Sequence, residues 1–399
     1  YDSLSAQLTL SENTQGKNVF TYSTTGQLLK ESWTDTLSKK QWETTYTHTL
    51  NGRLLTRLVD EKLDCTCTYD DAGRLDTLTQ GDLKANFDYD ELGQLSTITT
   101  CNLHTEQTLK TTLTFDDQGR EITRVLELAG HPTQTISQTY RIDSKLHTRH
   151  LQVDDQTELL ETFGYDQRGR MVEYECEGSA LPRDRYNNAI RRQDFVFDAL
   201  DNITVVTTRY EDGTRDIAIS SFSLSDPCQL VIVTHSHPSY GPNSSWELKY
   251  DADGNLMYDE NGQALHYDTQ GRLLSVTDAG QSVSKYRYDA HNHLLGVTQG
   301  GTETLRFYQG DRLSRTEQGE EKIHYLYHDD QPLGQQQENS PEHTLLLLTD
   351  GKNSVLAESD GNELRKAVYG AYGERNPDDE FKCLLGFNGE VRDKLSGWY

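Results

Sequence analysis

The chain has 399 residues, enough for two or three ordinary domains, and carries 64 Asp plus Glu against 38 Lys plus Arg, a formal net charge of -26. An acidic excess of that size argues against an electrostatic grip on nucleic acid or on an anionic membrane, since both need local positive potential. A hydrophobic fraction of 34% would suit disorder, but 22 Tyr, 10 Phe and 4 Trp are spread through alternating segments such as residues 54–60 and 151–166, as in a sheet with one wet face.

In chain order, residues 1–174 read as one array of hairpins, with only a polar interruption near residues 128–136. The pattern is already under way at Tyr1, with no basic and apolar leader ahead of it. A weak copy at Tyr22 and Gly26 is followed by clear ones: TYDDAGRLDTL at 68–78, DYDELGQLSTI at 88–98, TFDDQGREITRV at 114–125 and GYDQRGRMVEY at 164–174. The motif is an aromatic residue, usually Asp, two variable residues, Gly or Asn, a polar residue, and Leu or Ile.

Each position has a physical reason. The aromatic (Tyr69, Tyr89, Phe115 or Tyr165) ends a strand, its ring turned inward and a tyrosine hydroxyl left near water. The next residue (Asp70, Asp90, Asp116 or Asp166) accepts a hydrogen bond from a backbone N–H two residues on and closes the turn. Gly73, Gly93, Gly119 and Gly169 supply positive φ. An aliphatic residue then restarts the apolar face. Each unit is a hairpin of about 20 residues, marginal alone, so copies must pair side by side. A long sheet of such units must twist and curl.

Residues 175–246 are less regular, with a basic cluster around Pro182 and three prolines between 227 and 242, and are expected to be an irregular stretch of degenerate hairpins with longer loops, a distinct inserted module being the alternative. Weak copies are read there at Tyr186 with Asn187 and at Phe197 with Asn202, the asparagine standing for glycine. The array resumes with KYDADGNLMYD at 249–259 (Tyr250, Asp251, Gly254), HYDTQGRLLSV at 266–276 (Tyr267, Asp268, Gly271) and RYDAHNHLLGV at 287–297 (Tyr288, Asp289, Asn292). Aromatics are spaced from 17 residues (Tyr250 to Tyr267) to 26 (Tyr89 to Phe115), as hairpins with adjustable turns allow. The shell of repeats is thus read as residues 1–333, an exposed loop as 334–343, and a segment of different character, rich in glycine, as 344–399. The run Leu345–Leu348 is strand length, far below the roughly 18 residues of a spanning helix. Six cysteines (Cys65, Cys67, Cys101, Cys176, Cys228 and Cys383) lack metal-site or redox spacing and are expected to be free thiols. The fold class is all-β, a long curled antiparallel sheet forming part of a spiral barrel or cage.

The YDxxGRL copies resemble the tyrosine-aspartate repeats of bacterial rearrangement-hotspot proteins, shared by the B and C components of insecticidal toxin complexes and by teneurins. VLAESDGNELRKAVYGAYGERN followed by LLGFNGEVRDKLSGWY (Gly386, Phe387, Gly389, Asp393, Gly397, Trp398, Tyr399) resembles the start of the core segment that precedes a variable C-terminal toxin in that family. The resemblance implies a non-catalytic shell that encloses and protects a C-terminal toxin polypeptide before delivery, alone or as part of a toxin complex. It implies a protein made in the bacterial cytoplasm and exported or delivered to a target cell, with self-cleavage and toxin activity beyond residue 399 and no cofactor.

Other chemistry reads poorly. DADGN at 251–255 imitates the start of a calcium loop but lacks the later glycine and bidentate Glu, so an Asx-closed turn is favoured. His235 and His237 share a strand face, the spacing of two metal ligands, without a partner motif. Paired acids such as Asp70 with Asp71 and Asp116 with Asp117 recur at repeat turns and read as structural, and no GxSxG or phosphate loop is present. The alternative function is surface recognition of a partner protein or glycan, which exposed aromatics clustered in residues 175–246 would favour.

Overall fold

The structure, a computed structural model, describes all residues except 242–243, 260–261, 279–280, 376–379 and 394–399. It is all β. Among the described residues, twenty strands from Leu10–Glu12 to Ser245–Glu247 form one antiparallel sheet, and eleven from Ala264–Tyr267 to Leu364–Lys366 form a second. Within each sheet, among the described residues, strands pair with their neighbours in sequence, so each sheet grows without crossovers. Helix is confined, among the described residues, to two three-residue 3-10 turns, Pro238–Tyr240 and Phe387–Gly389.

The chain divides into two compact units. The first comprises Tyr1–Leu109, Ser282–Leu347 and Asp360–Asn362; the second comprises Lys110–Gln281, Leu348–Ser359 and Glu363–Tyr399. In the first unit two sheet faces pack on each other. Trp33 and Trp42 stack at 4.8 Å between ring centres and meet Phe307 at 5.9 and 5.3 Å, with Leu295 completing the cluster. Polar groups also cross this interior: Trp42 Nε1 donates to Glu317 at 3.1 Å, and Arg287 pairs with Asp35 at 2.9 Å. In the second unit Leu159, Phe163, Tyr174, Cys176, Leu181, Ala189 and Phe195 form the core, against which Val368 and Ala371 of the terminal segment pack.

One expected loop is a pair of strands instead. Residues 334–343 belong to the hairpin of Gln331–Gln337 and Ser340–Thr349, not to an exposed loop. Their polarity concealed it: Gln335 is buried, and Gln336 accepts the backbone N–H of Asp82 at 2.7 Å. Residues 175–246 continue the first sheet through Ile190–Phe197, Ile203–Tyr210, Arg215–Phe222 and Leu230–Thr234, because Pro182, Pro227 and Pro238 fall between strands. The one-wet-face reading also fails locally. Leu345, Leu346, Leu347 and Leu348 are each at most 1% exposed, so both faces of that strand are covered. All six cysteines are free, with only Cys228 fully exposed.

Candidate functional site: the repeat turns and the terminal segment

The repeat turns share one construction in both units. Tyr69, Tyr89, Phe115, Tyr165, Tyr267 and Tyr288 end their strands, and Tyr250 makes an isolated bridge to Leu256. One oxygen of Asp70, Asp90, Asp116, Asp166, Asp251, Asp268 and Asp289 accepts the backbone N–H four residues on, at 2.7 to 3.0 Å. In most turns it also accepts the N–H two residues on, as from Leu92 at 2.9 Å and Gln118 at 3.0 Å. The other oxygen binds the side chain at the fourth position, among them Arg74, Arg120, Arg170, Asn255, Arg272 and His293, at 2.7 to 3.1 Å. Gly73, Gly93, Gly119, Gly169, Gly254, Gly271 and Asn292 all have φ between 69° and 86°.

The aromatic hydroxyls do something that sequence reasoning missed. Instead of staying near water, Tyr69 Oη donates to the carbonyl of Leu54 at 2.7 Å, Tyr89 to Leu75 at 2.9 Å and Tyr250 to Leu230 at 2.6 Å. Each of these three repeats is thus tied to the one before it. The sixth motif position adds a second tie: Arg74 lies over Tyr89 at 4.4 Å and Arg170 over Phe197 at 4.6 Å, cation–π contacts onto the next repeat. The recurrent GR was the available signal, but it was read only as polar.

Carboxylates so committed are poor acid–base groups. The Arg120 side chain first, then its backbone N–H, holds the Asp116 carboxyl below its ordinary value, and the Asn255 side chain does the same for Asp251. Asp71 and Asp117 are exposed. Residue by residue, two weak copies need correction. At the turn after Phe197 the positive φ of 70° belongs to Asp201, while Asn202 takes the side-chain position on Asp198 at 2.7 Å. The turn assigned to Tyr186 is centred on Asp184, which accepts the N–H groups of Tyr186 and Asn188; Arg183 occupies the aromatic's place and Asn187 the positive φ. Further turns of the same kind, at Asp259–Gln263 and Asp350–Ser354, were not read from sequence.

In the second unit the terminal segment keeps this geometry with glycine in place of aspartate. Gly373 N–H donates to Gly370 at 3.1 Å and Gly389 N–H to Gly386 at 3.2 Å, as Gly73 does to Asp70 in the first unit. Phe387 packs on Tyr369 at 5.5 Å. Glu358, fully buried, accepts the N–H groups of Lys382 and Cys383 at 2.7 and 2.8 Å and so ties the segment down. Asp393 is half-buried, and Gly397, Trp398 and Tyr399 lie outside the described residues. His235 and His237 do not converge on a shared site: the ring of His235 pairs with Asp216 at 2.6 Å, and the ring of His237 meets Thr214 at 3.1 Å. No group of three His, Cys, Asp or Glu is placed to hold a metal among the described residues.

The Teneurin YD-shell family model matches residues 240–397. A curated relative, the tRNA3(Ser)-specific nuclease WapA of Bacillus spizizenii, is 26% identical over 186 residues, covering 45% of this chain and 7% of its own length. The chain resembles the crystal structure of TcdB2-TccC3-TEV with a TM-score of 0.61 at 13% identity, over 100% of this chain and 25% of that one. TcdB2-TccC3 without its hypervariable C-terminal region gives 0.61 at 14% identity, over 99% and 25%. The Photorhabdus luminescens Tc holotoxin pore gives 0.59 at 14%, over 97% and 24%. At such identities the likeness concerns the fold. The chain spans about a quarter of these structures.

Proposed function

We propose that this protein, whose fold resembles that of TcdB2-TccC3 and part of which matches the Teneurin YD-shell family model, is a scaffold that forms a wall enclosing a C-terminal toxin polypeptide before delivery. The observation that carries the reading is the inter-repeat tie. Ladder hydrogen bonds join neighbouring hairpins, and tyrosine hydroxyls and stacked arginines reinforce several of the joints, which suits a barrier and requires no catalytic residue. The hypervariable C-terminal region named for TcdB2-TccC3 is where such a cargo would stand. Export or delivery from a bacterial cell, alone or within a toxin complex, belongs to the same proposal.

The test is to produce the parent protein with its natural C-terminal segment and treat it with a nonspecific protease. The C-terminal polypeptide is expected to stay associated and protected while the repeats are folded, and to become sensitive once they unfold. Its immediate digestion beside intact repeats would overturn enclosure. That outcome would favour surface recognition, for which the second unit offers one observation. Tyr186, 38% exposed, packs on Tyr240 at 4.7 Å, and Arg185 lies over both Tyr186 and Trp246 at 5.5 Å.

A further inference from the structure

In the second unit the ladder register places a row of arginines on one sheet face of an otherwise acidic chain. Arg192 stands opposite Arg209, and Arg209 opposite Arg215, so three guanidinium groups leave adjacent strands side by side. Like charges placed directly opposite each other are destabilising, and the nearby acids compensate only one end of the row. Arg192 pairs with Glu173 at 2.6 Å and with Asp194 at 2.8 Å. Arg209 is exposed and reaches the same Asp194 only at 3.9 Å. Arg215 is exposed and makes no ion pair among the described residues.

Four residues along each of the same strands, and so on the same face, the row is aliphatic: Val196 stands opposite Val205, and Val205 opposite Ile219. Val196 is 53% and Ile219 48% exposed, and Ile232 of the next strand, 36% exposed, lies diagonal to Ile219 through its pairing with Ser221. The other face of these strands carries Phe195 and Val206, which pack into the core of the unit, so the aliphatic row is turned away from that core. Single exposed aliphatics need no explanation, but a contiguous β-branched set beside uncompensated arginines has the composition of an interaction surface. At a strand rise of 3.4 Å per residue the two rows are about 14 Å apart.

We propose that this face docks an extended, acidic segment of a partner protein, its carboxylates set on Arg209 and Arg215 and its aliphatic side chains, four residues further along, on Val196, Val205 and Ile219. The charge of the patch selects the sign of the partner, since Arg209 and Arg215 lack acids of their own within a chain of net charge -26. The aliphatic row selects a polypeptide. A polyanion without apolar groups would satisfy the arginines and leave that row in water, whereas an extended peptide repeats its side chains on one face about every 7 Å and reaches both rows at once. The surface does not depend on whether the repeats enclose a cargo.

The probe is a fluorescein-labelled synthetic peptide, EEEVTVTVT, titrated with the intact chain and followed by fluorescence anisotropy. Its second residue, placed on the arginine row, carries a valine four residues on and on the same face. Two control peptides each lack one feature: QQQVTVTVT has no charge and EEETTTTTT has no aliphatic residue. The probe is expected to bind at least about tenfold more tightly than either control. Combining Arg209→Gln with Arg215→Gln is expected to weaken it at least about fivefold while the protein stays folded, because both side chains are exposed and their loss relieves a like-charge opposition. Ile219→Thr, which keeps the β-branch, is expected to weaken it in the same direction. No binding up to about 5 mM, or equal affinity for the probe and either control, would overturn the proposal, and neither result depends on a variant that folds. In particular, equal affinity for EEETTTTTT would reduce the face to a general anion patch. Unchanged affinity in the folded double variant would overturn it equally.

Discussion

Glu161→Ala is expected to lower the stability of the second unit by about 3–5 kcal/mol, the range for removing one partner of a buried ion pair. Arg149 and Glu161 face each other across adjacent strands in register. Their side chains meet through two contacts, Nε to Oε2 at 2.5 Å and Nη2 to Oε1 at 3.0 Å. Arg149 reaches on to Asp350 at 2.8 Å, and Tyr174, fully buried, donates to Glu161 at 2.9 Å. Truncation would leave a desolvated guanidinium half-compensated and a buried hydroxyl without its acceptor. Lys110→Ala breaks only the exposed pair with Glu127 at 3.7 Å and is expected to change stability by no more than about 1 kcal/mol. Urea unfolding of both variants checks this; a Glu161→Ala loss as small as that of Lys110→Ala would show the network to be solvated.

Gly254→Val is expected to destabilise by about 1–3 kcal/mol through backbone strain alone. Gly254 has φ of 86°, and a Cβ added there would meet no other atom within 4 Å, so crowding plays no part. Gly73→Val adds crowding to the same strain, because its Cβ would fall on the Arg53 guanidinium. Ala252→Ser and Asp71→Ala alter exposed variable positions of the same turns and are expected to stay within about 0.5 kcal/mol of the parent. Thermal unfolding of the four variants is the measurement, and equal midpoints would contradict it.

What the sequence made legible was local. A Tyr–Asp pair, a glycine three residues after the aspartate and the restart of alternation are all contained in a dozen residues, so hairpins such as Lys62–Tyr69 with Leu75–Gln80 could be placed without any knowledge of neighbours. What stayed hidden depends on partners far along the chain. Asp64 looks like any strand aspartate until His324 arrives from 260 residues away. There desolvation pushes the carboxyl up, and the His324 hydrogen bond and the Arg57 charge together outweigh it and hold the group well below the usual range. Gln335 and Gln336 read as loop because what covers the first and the Asp82 N–H that the second accepts come from outside the local pattern. Arg183 in the aromatic's place, and glycine for aspartate at Gly370 and Gly386, broke the motif while the backbone turn persisted.

Electron cryomicroscopy of the parent protein, with its natural C-terminal segment attached, tests enclosure most directly. The expected result is a continuous repeat wall with the C-terminal polypeptide held as density on its inner side. A C-terminal domain folded outside the repeats and bathed in solvent would contradict enclosure.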